Sequence, residues 1–182
     1  NLFTVTNHLL DQAKILESPN SSERPKGVKP NLLVIHNISL PPGEFGGGYV
    51  EDFFLNKLDP SIHPYFETII DLKVSSHLLI DRKGTLTQFV NFSKKAWHAG
   101  VSEFEGKKEC NDFSIGIELE GTDTKPYSEE QYSSLVGVTK SLMENYSGIS
   151  KHRIVGHKDI APGRKTDPGE SFDWSRYKDS LG

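Results

Sequence analysis

The run Leu32–Ile38, LLVIHNI, limits the fold more than any other segment of the chain. Its first four residues are apolar, and Pro30 and Pro41 bound it. Such a run reads as a strand buried inside a sheet. His36 closes the apolar stretch, and a buried imidazole must find partners for its ring nitrogens, because an unsatisfied polar group away from water is costly. A second segment, Phe113–Leu119 (FSIGIEL), alternates, with Phe, Ile, Ile and Leu on one face and Ser, Gly and Glu118 on the other. That pattern predicts a half-buried strand presenting a carboxylate.

The remaining pattern interleaves strands with helices. Pro41–Gly48 reads as a loop, and Tyr49–Ile69, broken by Pro60 and Pro64, as short helices and loops. His77–Asp81 and Thr85–Val90 flank Arg82-Lys83-Gly84 as a hairpin with glycine in the turn. Ser128 and Gln131 form an S-x-x-Q capping box ahead of a stripe of Tyr132, Leu135, Val136, Thr139, Leu142, Met143 and Tyr146, which predicts a helix over 128–146. Arg153–Gly156 is a further short strand, and Trp174–Leu181 a final helix. Together these predict an α/β fold, a central mostly mixed β-sheet flanked by helices. At 182 residues the chain is expected to be one domain, 1–182, with an irregular or helical lead-in over 1–30 and the core over 31–182.

Composition narrows the function. A single cysteine, Cys110, excludes an internal disulfide scaffold and reads as a packing residue. The formal net charge of −4 argues against nucleic-acid binding. No apolar run approaches a membrane span, and Asn1–Leu16 lacks a basic stretch followed by an apolar core. A soluble, cytoplasmic, monomeric protein with no nucleic-acid or membrane partner is the expectation.

Seven histidines need sorting. His8, His63 and His152 lie in polar or turn-like surroundings and suit surface or local hydrogen-bonding roles. His36 is either a satisfied core histidine or a metal ligand. His157 follows a glycine-terminated strand, with Asp167 ten residues later before Pro168. His77 is equally a ligand or a neighbour of one. A His/His/Asp set leaves a fourth tetrahedral position for water, the catalytic arrangement of zinc. Glu118 then suits a general base and Lys165 an oxyanion-stabilising cation. Glu118 as a solvated strand residue and Lys165 as part of a surface Arg164-Lys165 pair are the alternatives.

The ordered stretches LLVIHNISLPPGEFGG (32–47), HPYF (63–66), AWHAG (96–100), CNDFSIGIELEGTDT (110–124), GH (156–157), IAP (160–162), RKTDPG (164–169) and SFDW (171–174) are together highly specific. Over Leu32–Trp174 the chain resembles the zinc amidases related to peptidoglycan recognition proteins, and the PPGEFGG loop favours their anhydro-N-acetylmuramoyl-L-alanine branch. The resemblance implies one Zn²⁺ per chain on His36, His157 and Asp167, Glu118 as catalytic base, and Lys165 as the oxyanion cation. It places Asn37, Tyr65, Lys73 and His98 in substrate binding. It implies hydrolysis of the amide between the lactyl group of (1,6-anhydro-)N-acetylmuramic acid and L-alanine, in cytosolic peptidoglycan recycling, on a small anhydromuropeptide. An envelope amidase acting on intact peptidoglycan and a binding protein without turnover are the alternatives. Two departures bear on stem-peptide preference. Glu109 precedes Cys110 where a basic residue is expected, with Lys107 and Lys108 just before it. Lys73 stands where arginine is frequent, a point charge in place of a bidentate fork.

Overall fold

The computed structural model describes residues 2–182; Asn1, the first residue of the expected lead-in, lies outside them. The strand expected at LLVIHNI forms with those limits, β5 (Leu32–Ile38), after four short strands: β1 (Val5–Thr6), β2 (Leu9–Leu10), β3 (Lys14–Ile15) and β4 (Ser21–Glu23). Two six-residue helices follow, α1 (Tyr49–Phe54) and α2 (Pro64–Ile69). The hairpin is β6 (Leu78–Ile80) and β7 (Leu86–Gln88), and β8 (Lys94–Ala96), β9 (Glu103–Phe104) and β10 (Lys107–Lys108) come next. The chain then builds β11 (Ser114–Glu120), α3 (Glu129–Asn145), β12 (Ile154–Gly156), α4 (His157–Ile160) and α5 (Trp174–Asp179).

The principal sheet has six strands in the order β12-β5-β11-β6-β7-β3. Neighbours from β12 through β6 are parallel, β6 and β7 are antiparallel, and β7 and β3 are parallel, so the sheet is mixed as expected. One face packs on α3: Leu33 and Ile35 of β5 and Ile115, Ile117 and Leu119 of β11 meet Leu135, Val138 and Leu142. The other face carries two apolar clusters. Phe53, Phe54, Phe66 and Ile69 of α1 and α2 gather around Leu79, and Leu32 and Val34 meet Ala99, Cys110, Phe113 and Ile160.

Three expectations change. First, β11 is buried along its whole length, not on one face; parallel strands between covered faces lose the solvent side that alternation implies. Second, the lead-in over 1–30 is neither irregular throughout nor helical among the described residues. Its strands β3 and β4 pair with β7 and β8, far along the chain. Buried Arg24 donates to the carbonyls of Phe92, Asn111, Asp112 and Ser114, which locks this segment to the body of the fold. Third, the buried stripe of α3 includes Val138, while Val136 and Met143 pack only at its edge. The capping box forms as expected, and Gln131 Nε2 also donates to the carbonyls of Ile80 and Glu120, tying the helix start to the ends of β6 and β11.

Candidate active site

Side chains alternate along a strand, so even-numbered residues of β5 and β11 share the face turned away from α3. Register places His36 directly beside Glu118 and pairs Ile35 with Gly156, the last residue of β12. His157 therefore emerges at the C-terminal end of β12, next to the ends of β5 and β11. Ligands of open α/β sheets bind in this position, outside the carboxyl ends of the strands.

Three donor groups meet there. His36 Nδ1 lies 3.0 Å from His157 Nδ1 and 3.1 Å from Asp167 Oδ2. His157 Nδ1 lies 3.3 Å from the same carboxylate. Each far nitrogen is already engaged: His157 Nε2 with the Ala99 carbonyl at 3.0 Å, and His36 Nε2 with His98 Nδ1 at 2.8 Å. Two imidazoles thus aim the same type of nitrogen at one point beside a carboxylate, and the three residues form a cluster able to hold a metal ion. Burial would raise the Asp167 carboxyl, but hydrogen bonds from His157 and His36 outweigh it and hold the group below the usual carboxylate range. Burial pushes the His36 imidazolium down, against the opposing pull of Asp167. Imidazole nitrogens and a carboxylate oxygen are ligand types zinc takes.

Glu118 Oε2 lies 4.0 Å from His36 Nδ1. Its Oε1 is buried with no hydrogen-bond partner among the described residues. Burial, then the Asp167 charge, pushes its carboxyl well above the usual range, with Lys165 pulling the other way. A buried, unpaired carboxylate oxygen next to a metal-type donor cluster is where a proton-transfer group is needed.

Asp167 is held by its surroundings. Its carbonyl accepts from Lys158 N–H, and Thr166 Oγ1 donates to Asp123. Gly169, at φ +82°, leaves no room for a side chain: a Cβ there would stand 2.2 Å from the Asp123 Cα. Asn37 Nδ2 donates to Asp123 Oδ1 and the Pro168 carbonyl, so this expected substrate residue braces the Asp167 loop. Ala99 is placed by Asn111 of the CNDF motif, whose Oδ1 accepts from the backbone N–H groups of His98 and Ala99.

A cleft of about 760 Å³ opens over these groups. Asn37, Tyr65, His98, Glu118, Lys165 and the three cluster residues all line it. Phe53, Ile69, Leu72 and Trp97 supply an apolar wall, and Thr122, Asp123 and Arg164 a polar one. Lys73 is exposed and not among the lining residues, although Leu72 and Val74 on either side are. Lys107 sits over the Phe113 ring, and neither it nor Lys108 lines the cleft. His77 is no ligand: its Nδ1 accepts from Gly116 N–H and its Nε2 meets the Lys94 carbonyl at 2.8 Å. Burial, then Arg24, brings its pKa down to about 3. His8 contacts the Tyr146 hydroxyl, His63 caps α2, and His152 pairs with Glu105, the local roles expected of them. Sequence reasoning missed Arg24, Asn111, Ser114 and Asp123; a glycine inside β11, Gly116, was the one available hint of a close approach.

This fold and site are those of an amidase: the chain belongs to the N-acetylmuramoyl-L-alanine amidase family, whose pattern matches residues 26–170. It is 56% identical over 173 residues to the 1,6-anhydro-N-acetylmuramyl-L-alanine amidase AmpD of Haemophilus influenzae, across 95% of this chain and 94% of that protein. The AmpD of Escherichia coli is 54% identical over 166 residues, across 91% and 90%. Among solved structures, the crystal structure of a selenomethionine AmpD derivative superposes with a TM-score of 0.95 at 50% identity, covering 98% of this chain and 99% of that one. No helix of the described residues is long and apolar enough to cross a membrane.

Proposed function

We propose that this amidase hydrolyses the bond between the lactyl carbonyl of 1,6-anhydro-N-acetylmuramic acid and the L-alanine of the stem peptide, using one Zn²⁺ held by His36, His157 and Asp167. The observation that carries the reading is the convergence of both Nδ1 atoms and the Asp167 carboxylate beside the Glu118 carboxylate, whose Oε2 lies 4.0 Å from His36 Nδ1. The curated relatives named for anhydro-muramyl-L-alanine cleavage support the choice of substrate. The protein acts as a monomer in the cytoplasm, on small muropeptides released by cell-wall turnover.

Zinc in such a site supplies Lewis acidity, polarising a carbonyl and lowering the pKa of a water to about 7. The residues of the chain do the rest. Glu118 takes the proton of the attacking water and returns it to the leaving alanine nitrogen. A group working as base and then acid performs best with a pKa near the operating pH, and burial moves the Glu118 carboxyl upward from the usual range. Lys165, at the cleft rim, stabilises the oxyanion of the tetrahedral intermediate. Tyr65 and the apolar wall of Phe53, Ile69 and Trp97 hold the sugar and peptide against the cleft. No covalent intermediate is required, and buried Cys110, whose thiol is pushed up by burial, takes no part.

Incubating the zinc-loaded protein with 1,6-anhydro-MurNAc-tripeptide and its reducing-end counterpart, with released peptide followed by mass spectrometry, tests this. Fast cleavage of the anhydro compound alone is expected. Cleavage of both at equal rates overturns the anhydro specificity, and cleavage of neither overturns the amidase reading.

A further inference from the structure

Behind His36 runs a chain of buried polar side chains. His36 Nε2 lies 2.8 Å from His98 Nδ1, and His98 Nε2 lies 2.9 Å from Ser114 Oγ. All three residues are buried, with exposures of 1%, 9% and 0%. A neutral imidazole that offers its Nδ1 lone pair carries its proton on Nε2. That proton points at His98 Nδ1, which accepts it only when His98 carries its own proton on Nε2, facing Ser114. The reverse sense would place a proton on His36 Nδ1, where it donates to Asp167 Oδ2 at 3.1 Å in the metal-free site but blocks the lone pair a metal would need.

Packing and a backbone hydrogen bond hold His98 in place. Its backbone N–H donates to Asn111 Oδ1. The ring lies against Gly116, where a Cβ would stand 2.5 Å from its Cγ. Neighbouring His77 has both nitrogens engaged elsewhere and does not compete for it.

We infer that His98, held by Ser114 and by the notch at Gly116, is a positioning residue that fixes His36 in the tautomer presenting Nδ1 to the metal, and not a group that binds substrate. The inference rests on the zinc-site reading above. Outer partners of metal-ligating histidines orient the ring and raise its basicity, and losing one costs about 10–100-fold in metal affinity.

The test is zinc affinity, measured by competition with a chromophoric chelator, together with long-range ¹H–¹⁵N spectra that report histidine tautomers in the zinc-loaded protein. His98→Ala should weaken zinc binding about 10–100-fold, Ser114→Ala should weaken it less, and His98→Asn, which keeps an acceptor near Nδ1, should recover part of the loss. In the parent protein the His36 proton should sit on Nε2. Unchanged zinc affinity in His98→Ala with a raised KM and retained kcat would overturn the inference in favour of substrate binding. If His98→Ala does not fold, Ser114→Ala and the parent spectrum decide: a His36 proton on Nδ1 overturns it. A parent protein that binds no zinc would instead remove the metal-site reading itself.

Discussion

The two faces of β5 and β11 are both largely buried but are built by different rules. Toward α3, Leu33, Ile35, Ile115, Ile117 and Leu119 form an apolar surface that asks only for complementary shape. On the opposite face the same strands run from Leu32 and Val34 to His36, and through Ser114 and Gly116 to Glu118. There every polar group needs a partner, since a buried unpaired one costs about 1–3 kcal/mol. His36 and Ser114 are joined through His98, and Glu118 Oε1 has no hydrogen-bond partner among the described residues. One face packs on α3; the other sets the Glu118 carboxylate beside the cluster of His36, His157 and Asp167.

Substitutions on the polar face should change chemistry with modest effect on folding, and those on the apolar face the reverse. The largest effect is expected for Asp167→Ala, which should remove zinc-dependent turnover and most zinc binding in a peptide-release assay and a metal titration. Full retained activity would strike Asp167 from the ligand set. Glu118→Gln should keep zinc while kcat falls by about 10²–10⁴-fold; an unimpaired rate would take the base role from Glu118. Ile117→Ala, one residue away but facing α3, should lower the unfolding free energy by about 2–5 kcal/mol in a urea titration, with zinc affinity within error of the parent. If its zinc affinity collapsed as well, the two faces would not be separable. Smallest is Ser128→Ala, which removes the capping box of α3 and should cost about 1 kcal/mol of stability without altering turnover.

The apolar face was legible in the sequence for a physical reason. Period and caps are local properties, so LLVIHNI, the hairpin at Gly84 and the helix begun by Ser128 can be read from neighbouring residues alone. The alternation of FSIGIEL predicts the strand, but burial of its second face depends on β8 and Arg24, which arrive from distant segments. Short strands such as β3 and β4 exist only because β7 and β8 pair with them. The site was legible in residue types and not in geometry: His36, His157, Asp167 and Glu118 were candidates, but the pairing of His36 with Glu118 is a property of sheet register. Family resemblance assigned Asn37, Lys73 and His98 together to substrate, whereas the fold gives them different surroundings. Asn37 braces the Asp167 loop, Lys73 stands outside the cleft lining, and His98 backs His36.

The most direct test of the account is a zinc titration of metal-free protein by native mass spectrometry, with peptide release from 1,6-anhydro-MurNAc-tripeptide measured at each point. Activity should rise in proportion to a species carrying one zinc per chain and be absent before the first addition. Undiminished hydrolysis by the metal-free protein would contradict it.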